Sequence, residues 1–249
     1  MKVSVIIPTY NNGDIIFETL SEIIQKMNTL KYLFEIIVVS DGSLDNTISE
    51  VIKAKNQYSE IRLIHYSMNS GKGAAVTVGF AHAHGEYVGF LDADNSTNLD
   101  SWIEILNLAV DEKYDCIIGS RYKEYQNIKQ PYIRKLSGFT FNRIVNSLFH
   151  LGVKDTQCGT KVFSRKSVDI ILSHASLKGF GFDVDYLNLI KKNSIKIIEY
   201  QISWIHHGDF GTWNNLLIII NIGSSMLSEI LSLKTKKINP INWKEIINS

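Results

Sequence analysis

The sequence predicts an α/β protein in which helices cover both faces of a mostly parallel sheet. In the first half of the chain, short apolar runs alternate with longer segments whose apolar residues recur at helical spacing. The short runs are apolar throughout, so strands buried on both faces are expected. Strands and helices that alternate in this way indicate βαβ units, and such sheets bind ligands at the carboxyl ends of their strands.

Composition limits the classes of protein that remain. The chain has 249 residues, of which 45% are hydrophobic and 20% charged, so it fits one folded domain and not a disordered chain. Its 26 Lys and Arg residues nearly balance its 25 Asp and Glu residues, so no nucleic acid partner is expected. Cys116 and Cys158 are too few for a disulfide framework, and the chain is expected to be cytoplasmic.

The first nine elements follow from hydrophobic spacing. The helix at 14–27, for example, carries Ile16, Leu20, Ile23 and Ile24 on one face, and the helix at 45–56 begins at a Ser43/Asp45 cap. The same reasoning predicts strands at 3–7, 34–39, 61–65, 87–91 and 116–119, and further helices at 73–83 and 99–110.

The regular alternation ends after Arg121. A polar stretch without periodicity covers 122–131, followed by a helical stripe at 141–149, a helix around 186–191, a strand-like run at 195–205 and a long apolar helix at 214–233. We therefore expect one domain over 1–211, with a nucleotide-binding half at 1–120 and an acceptor half at 121–211. A C-terminal helix and tail follow at 212–249, and the Lys- and Asn-rich end is expected to be solvated.

The motif Asp92-Ala93-Asp94 directly follows the predicted buried strand at 87–91. Two carboxylates at a strand end can hold Mg²⁺ or Mn²⁺ while leaving coordination sites open to phosphate oxygens. The alternative is a solvated turn that caps the next helix, which would be preferred for the tripeptide alone. The position after a buried strand favours the metal site.

Two other segments carry candidate nucleotide-binding residues. Asp41 follows the second strand and could accept from the imide N–H of a uracil, or it could instead bind backbone N–H groups in an ordinary turn. Lys72 lies in a glycine-rich segment that opens a helix, where it could meet a base or phosphate, or simply be solvated. The residues alone leave both pairs of alternatives open.

Taken in order, these motifs resemble the inverting glycosyltransferases of the GT-A fold. The second half is similar to the branch of dolichyl-phosphate glucosyltransferases and polyprenyl-phosphate sugar synthases. The motifs of the first half are Val3 to Asn11, Ile37 to Ser43, Asn69 to Ala75 and Asp92-Ala93-Asp94; those of the second are Ile118 to Arg121, Asp155 to Phe163 and Phe180 to Val184. The resemblance covers about residues 2–207.

The resemblance implies a role for each matching residue. Pro8, Tyr10, Asp41 and Lys72 would surround the base and ribose of the donor, with Asp92 and Ala93 beside its diphosphate. Asp92 and Asp94 would hold Mg²⁺ or Mn²⁺, Arg121 would lie near an acceptor phosphate, Arg134 and Ser137 would fall in an acceptor loop, and Asp155 and Asp183 would reach the reacting atoms.

Two departures from the family pattern bear on specificity. The family usually has two aspartates where this chain has Ser40-Asp41, and Asp41 matches the second of them. Asn95-Ser96 follows the metal motif where mannose-phosphate synthases tend to have Leu-Gln, which favours the glucosyl branch and leaves the third metal ligand open.

The expected reaction is metal-dependent transfer of a hexose, with glucose favoured, from a nucleotide sugar, with UDP favoured, to a polyprenyl or dolichyl phosphate. The phosphate needs no general base, because it is already anionic near pH 7. A hydroxyl acceptor would need one, and Asp155 or Asp183 could serve unless each only caps a turn. The alternatives are extension of a cell-surface saccharide, or a nucleotide-sugar-binding module without turnover.

The C-terminal helix also has two interpretations. At about 100° per residue its polar side chains form one stripe, and they are Asn214, Asn221, Ser225, Ser228 and Ser232. With Lys234, Lys236 and Lys237 behind it, the helix could lie on an anionic membrane surface, which would make the protein peripheral at the cytoplasmic face. It could equally close the core or pack against a second subunit in a homo-oligomer.

Overall fold

The structure is a computed structural model, and it describes residues 1–94, 98–121, 132–202, 213–235 and 238–248. In the helical segments 132–137 and 213–220 only the backbone is described. Some segments of the sequence analysis lie outside the described residues: the polar stretch at 122–131, Asn95-Ser96, the end of the strand-like run at 203–205, and Lys236 and Lys237.

Within the described residues, seven strands form one mixed sheet in the order β3-β2-β1-β4-β6-β5-β7. Strand β6 runs antiparallel to β4 and β5, and every other pairing is parallel. The strands are β1 Lys2–Thr9, β2 Leu33–Asp41, β3 Ile61–Tyr66, β4 Tyr87–Phe90, β5 Cys116–Ser120, β6 Lys161–Ser164 and β7 Ile198–Gln201. The predicted mostly parallel α/β fold is therefore confirmed.

Helices cover both faces of this sheet. They are α1 Ile16–Met27, α2 Thr47–Gln57, α3 Lys72–His82, α4 Leu99–Asp111, α5 Tyr132–Phe149, α6 Arg165–His174, α7 Phe182–Lys192, α8 Trp213–Thr235 and α9 Trp243–Ile247. The two faces carry separate hydrophobic clusters: Val5 and Ile7 of β1 belong to one and Ile6 to the other, and all three are fully buried. Because neither face meets water, the strands are apolar at nearly every position.

The sheet topology gathers the candidate residues at one edge. The parallel strands all end there, and β6, which runs the other way, begins there. Asp41 closes β2, Asp92 follows β4, Arg121 follows β5 and Lys161 opens β6. Residues far apart in sequence are thereby brought to one side of the molecule.

Helix α6 was not predicted from the sequence. Its N-cap is Ser164, whose side chain accepts from the backbone N–H of Ser167, and it buries Val168 and Ile171. The segment is short and mostly polar, so its stripe is narrower than the apolar face used to identify the other helices. The Ser164 cap three residues ahead of Ser167 was the available signal.

The expectation that the C-terminal end is solvated was wrong. Ile241 and Ile246 are buried, and the indole of Trp243 packs edge-to-face on the His82 ring of α3 with 5.3 Å between centroids. The backbone N–H of Ile241 donates to the carbonyl of Ala175 over 2.7 Å. Ile241, Trp243 and Ile246 therefore hold this otherwise polar segment against the body of the protein.

Helix α8 lies where a long apolar helix was predicted. Ile230 is fully buried in the core cluster, so this part of the helix closes the domain. Asn221, Ser225 and Ser228 of the predicted polar stripe are exposed, and Ser232 is half-buried. In the described part of the chain, no helix is both long enough and apolar enough to cross a bilayer.

Candidate functional site

A cavity of about 490 Å³ opens at the carboxyl edge of the sheet. It lies between the ends of β1, β2 and β4 and the first turn of α3. Its lining includes all of the residues predicted to bind the donor or the metal: Pro8, Tyr10, Asp41, Lys72, Asp92, Ala93 and Asp94. The sequence motifs that were read separately therefore form one site.

Lys72 and Asp92 form an ion pair at the floor of this cavity. The Lys72 Nζ lies 2.5 Å from Asp92 Oδ1, and each side chain is about one quarter exposed, at 26% and 23%. Burial alone would lower the pKa of Lys72, but the negative charges of Asp92, Asp183 and Asp94 raise it above its ordinary value. Lys72 is thus a permanent cation beside the carboxylates, close to where a donor diphosphate would lie.

The surroundings of Asp92 fit a divalent cation. A Cβ placed on Gly159 would fall 2.3 Å from Asp92 Oδ2, so only glycine at this position leaves that oxygen clear. Asp94 lies two residues further on and lines the same cavity. Two carboxylates that line one cavity match Mg²⁺, which takes one or two carboxylates and completes its shell with water and phosphate oxygens. The described residues contain no cluster of three or more metal-binding side chains.

Asp41 contacts the loop that precedes α3. Its Oδ1 accepts from the N–H of Ser70 over 2.7 Å, and its Oδ2 accepts from the N–H of Gly71 over 2.9 Å. This is the backbone-binding role that the sequence left open for Asp41. Each carboxylate oxygen has a second lone pair, and the residue lines the cavity, so the donor role stays a prediction.

Asp183 forms a buried ion pair with a lysine that the sequence analysis did not select. Its Oδ1 lies 2.5 Å from the Nζ of Lys161, whose side chain is fully buried and also donates to the carbonyl of Cys158 over 2.5 Å. Burial raises the pKa of Asp183, and the positive charges of Lys161 and Lys72 only partly oppose this. A lysine is buried completely only when its charge is compensated, so Lys161 and Asp183 stabilise one another.

Arg121 and Asp155 form a second, two-pronged ion pair. Arg121 donates from Nε to Oδ2 over 2.7 Å and from Nη2 to Oδ1 over 2.8 Å, and its backbone N–H donates to the same Oδ2. Asp155 is fully buried, whereas Arg121 remains 16% exposed. The carboxylate therefore fixes the plane of the guanidinium at the edge of the sheet.

The segment between Asp155 and Lys161 links the two ion pairs. Burial raises the pKa of the Cys158 thiol to about 11. The charges of Asp155, Arg121 and Lys161 also act on this thiol. Gly159 approaches Asp92 on the other side. One short segment thus connects the predicted acceptor residues to the predicted metal ligands.

Some predicted residues are not placed by the structure. Arg134 and Ser137 fall in the first turns of α5, so their backbone is helical where an acceptor loop was expected, and their side chains lie outside the described part of the chain. Conversely, the cavity is lined by Asn12, Asn69 and Phe180, which the sequence analysis did not select. Phe180 lies inside the motif Phe180 to Val184, in which only Asp183 was selected as a candidate site residue.

Comparison with known proteins identifies the family. The profile of Glycosyl transferase family 2 matches residues 4–172, and the chain belongs to this family. It is 33% identical over 214 residues to dolichyl-phosphate β-glucosyltransferase ALG5D of Trichomonas vaginalis, covering 81% of this chain and 65% of the relative. It is 35% identical to the dolichyl-phosphate β-glucosyltransferase of Saccharomyces cerevisiae, covering 81% of this chain and 66% of that one. The chain thus spans slightly less than two thirds of their length.

Solved structures confirm the fold. Glucosyl-3-phosphoglycerate synthase of Mycobacterium tuberculosis, crystallised with Mg²⁺ and UDP, superposes with a TM-score of 0.71 at 18% identity, over 95% of this chain and 80% of that one. Mannosyl-3-phosphoglycerate synthase of Rubrobacter xylanophilus gives a TM-score of 0.70 at 15% identity, over 94% and 75%. The resemblance to the GT-A glycosyltransferases and to their dolichyl-phosphate glucosyltransferase branch is confirmed.

Proposed function

We propose that this member of Glycosyl transferase family 2 transfers glucose from UDP-glucose to a polyprenyl or dolichyl phosphate, with inversion at the anomeric carbon. The relatives named dolichyl-phosphate β-glucosyltransferases support the sugar and the acceptor. A structural neighbour crystallised with UDP supports the nucleotide.

One observation carries the proposal. A cavity lined by a lysine and three carboxylates, Asp41, Asp92 and Asp94, lies at the same edge of the sheet as an arginine held in a fixed orientation by Asp155. The carboxylates and the lysine suit a nucleoside diphosphate and its metal ion, and the arginine suits a phosphate monoester. An enzyme that joins a nucleotide sugar to a lipid phosphate needs both groups within one active site.

The donor would bind in the cavity. Asp92 and Asp94 would hold Mg²⁺ or Mn²⁺, which neutralises the charge of the departing diphosphate. Lys72 would donate to the same phosphates, because the opening of an α-helix and a permanent positive charge both favour an anion. Asp41, together with Pro8 and Tyr10, would surround the base and ribose.

The acceptor would approach from the side of Arg121. A phosphate monoester carries one to two negative charges near pH 7 and can attack the anomeric carbon without losing a proton. It therefore needs positively charged partners, and Arg121 would supply one: its fork of Nε and Nη2 is held by Asp155, and its Nη1 would meet a phosphate oxygen. Asp155 would orient this fork, and Arg134 and Ser137 would add contacts from the start of α5. Asp183 would face the reacting atoms, with Lys161 compensating its charge.

A hydroxyl acceptor, as in extension of a cell-surface saccharide, is the second candidate. It would require a general base, and Asp155 or Asp183 was expected to serve. Both oxygens of Asp155 receive hydrogen bonds from Arg121, so the carboxylate is turned towards the guanidinium and is not placed to take a proton from a hydroxyl acceptor. Asp183, with its raised pKa, is the better candidate for a base in that reaction.

A lipid-linked acceptor would require the protein to reach a membrane surface, and we propose peripheral association at the cytoplasmic face. The exposed polar stripe of α8 and Lys234 would face anionic headgroups. Sedimentation of the full-length protein with vesicles containing anionic lipid tests this part of the proposal, and a protein that stays in the supernatant at low salt would contradict it.

A transfer assay tests the reaction itself. The protein is incubated with UDP- or GDP-linked glucose, mannose or galactose, and with either a polyprenyl phosphate or an oligosaccharide, with Mg²⁺, Mn²⁺ or excess chelator. We expect product only from UDP-glucose and the lipid phosphate, and none with chelator. Product on the oligosaccharide alone would favour the second candidate, and no product from any pair would favour a binding module without turnover.

A further inference from the structure

The carboxylate of Glu229 on the C-terminal helix α8 contacts a loop that lines the donor cavity. Glu229 of α8 accepts a hydrogen bond from the N–H of Gly181, with 2.8 Å between Oε2 and nitrogen. Gly181 is the N-cap of α7, the helix whose first turn carries Asp183. A side chain on α8 thus ends on the backbone that begins the Asp183 helix.

The glycines on both sides of Phe180 make this contact close. A Cβ on Gly179 would fall 2.0 Å from Oε1 of Glu229, and a Cβ on Gly181 would fall 2.8 Å from Oε2. The carboxylate therefore occupies the space that side chains at both positions would fill. Phe180, between them, is 48% exposed and lines the donor cavity.

The other side of this loop packs against the start of α3. The carbonyl of Lys178 accepts from the N–H of Ala74 over 3.0 Å, and a Cβ on Gly71 would fall 2.6 Å from the same oxygen. Gly71 is one of the two residues bound by Asp41, and Lys72, which pairs with Asp92, comes next. The loop 178–181 is therefore held between Glu229 and the donor-binding residues.

We propose that Glu229 is a positioning residue for the donor site: by holding the loop 178–181, it places Phe180 against the bound nucleotide sugar. The proposal rests on the proposed function for the identity of the ligand. It also gives α8 a role beyond closing the core, because any displacement of the helix at Glu229 moves a wall of the cavity.

Hydrogen exchange tests the coupling without any ligand. In the ligand-free protein, Glu229→Ala should speed amide exchange in 177–183 about tenfold, because a hydrogen bond to a charged acceptor is lost. Glu229→Gln keeps an acceptor oxygen and should change exchange less than about threefold. Ser228→Ala, an exposed neighbour on the same helix, is the matched control and should leave exchange unchanged.

Binding of UDP with Mg²⁺, measured by calorimetry, tests the consequence for the donor. Glu229→Ala should weaken binding about tenfold in the native background and less than about twofold in a Phe180→Ala background, because the two residues act on the same wall. A merely destabilising substitution would weaken binding by the same factor in both backgrounds, and that result would overturn the proposal.

A second variant covers failure of Glu229→Ala to fold. Gly179→Ala places a methyl group against the Glu229 carboxylate and should reproduce the faster exchange in 177–183. Unchanged exchange in a folded variant would overturn the proposal. If the native protein binds no UDP while exchange responds as expected, the donor assignment fails and the positioning role of Glu229 stands.

Discussion

Asp92 and Asp94 are the residues whose replacement should affect transfer most. Asp92→Ala or Asp94→Ala should lower the transfer rate at least about a hundredfold, because charge on the leaving diphosphate would no longer be neutralised. Both side chains end in the cavity, so the unfolding temperature should hardly change. Asp100→Ala is the matched control, because Asp100 is an exposed carboxylate that pairs only with Lys26 in the described part of the chain.

Excess chelator should reproduce these two variants. Transfer rates with and without chelator, measured on native protein and on both variants, provide the check. Full activity of the native protein in chelator would remove the metal from the mechanism.

Replacement of Arg121 or Asp155 should weaken binding of the acceptor and leave binding of the donor nucleotide unchanged. Arg121→Lys keeps the positive charge but loses the fork that meets both oxygens of Asp155, and Asp155→Asn loses the carboxylate that orients it. Either change should raise the KM for polyprenyl phosphate about tenfold while the affinity for UDP stays within about twofold. Steady-state kinetics and calorimetry separate the two quantities. An equal loss of both would place Arg121 at the diphosphate site or in the fold.

Residues that act through local motifs could be identified from the sequence, whereas their distant partners could not. Asp41, Lys72, Asp92 and Asp94 each follow a predicted strand or open a helix, and the topology of a parallel sheet brings such positions together. The pairing of Asp183 with Lys161 depends instead on where β6 enters the sheet. Composition and spacing do not encode the direction of that strand.

At the scale of the elements, the edge opposite the cavity stabilises the sheet. Glu35, near the start of β2, is 5% exposed and accepts from Ser4 Oγ over 2.7 Å, the N–H of His84 over 2.8 Å and Arg62 Nη1 over 2.9 Å. Burial would raise its pKa, but these hydrogen bonds outweigh burial and hold the pKa at about 2, against an ordinary value of 4.5.

The free energy of unfolding should therefore fall in acid as Glu35 becomes protonated. The pKa of Glu35 is lower in the folded protein than in the unfolded chain. Its contribution to the free energy of unfolding is therefore complete above about pH 4.5 and disappears as the pH falls towards 2. The shift corresponds to about 3 kcal/mol of unfolding free energy. Urea unfolding between pH 3 and 7 should show a weaker dependence on pH in Glu35→Gln than in the native protein. An unchanged pH dependence would show that Glu35 is not the group responsible.

The C-terminal helix α9 gives a second test at this scale. Ile246→Ala should lower the unfolding free energy by about 2 kcal/mol, because Ile246 is 4% exposed in the core cluster. Ile222→Ala on α8 is the matched control, since Ile222 is 38% exposed and its loss should cost less than about 0.5 kcal/mol. Equal small effects in urea unfolding would return the tail to the solvated state first expected.

Helices α6 and α9 also mark the limit of prediction for the elements. Strand β6 was not predicted; the other strands and the first helices were, because each is either apolar throughout or apolar along a wide stripe. Helix α9 is five residues long, and its helical state depends on contact with α3 and with Ala175. Tertiary contact fixes such a segment, and its own sequence has little helical preference to reveal.

At the scale of the whole molecule, the stabilising Glu35 network and the candidate active site lie at opposite edges of the sheet. One edge of the sheet carries the Glu35 network, and the opposite edge carries the cavity, the Lys161–Asp183 pair and the Arg121–Asp155 pair. In the proposed reaction, the ion pairs at the second edge would position charged groups for two anionic reactants. An enzyme that joins a nucleoside diphosphate sugar to a lipid phosphate must place cations on both reactants.

The anomeric configuration of the lipid product tests the central claim most directly. Native protein is incubated with UDP-α-glucose, a polyprenyl phosphate and Mg²⁺, and the lipid product is isolated and examined by proton and phosphorus NMR. We predict glucose joined to the lipid phosphate as the β-anomer, as direct displacement on the opposite face of the sugar requires, and none from Asp92→Ala. An α-linked product, or glucose recovered on any acceptor other than the phosphate, would contradict the account.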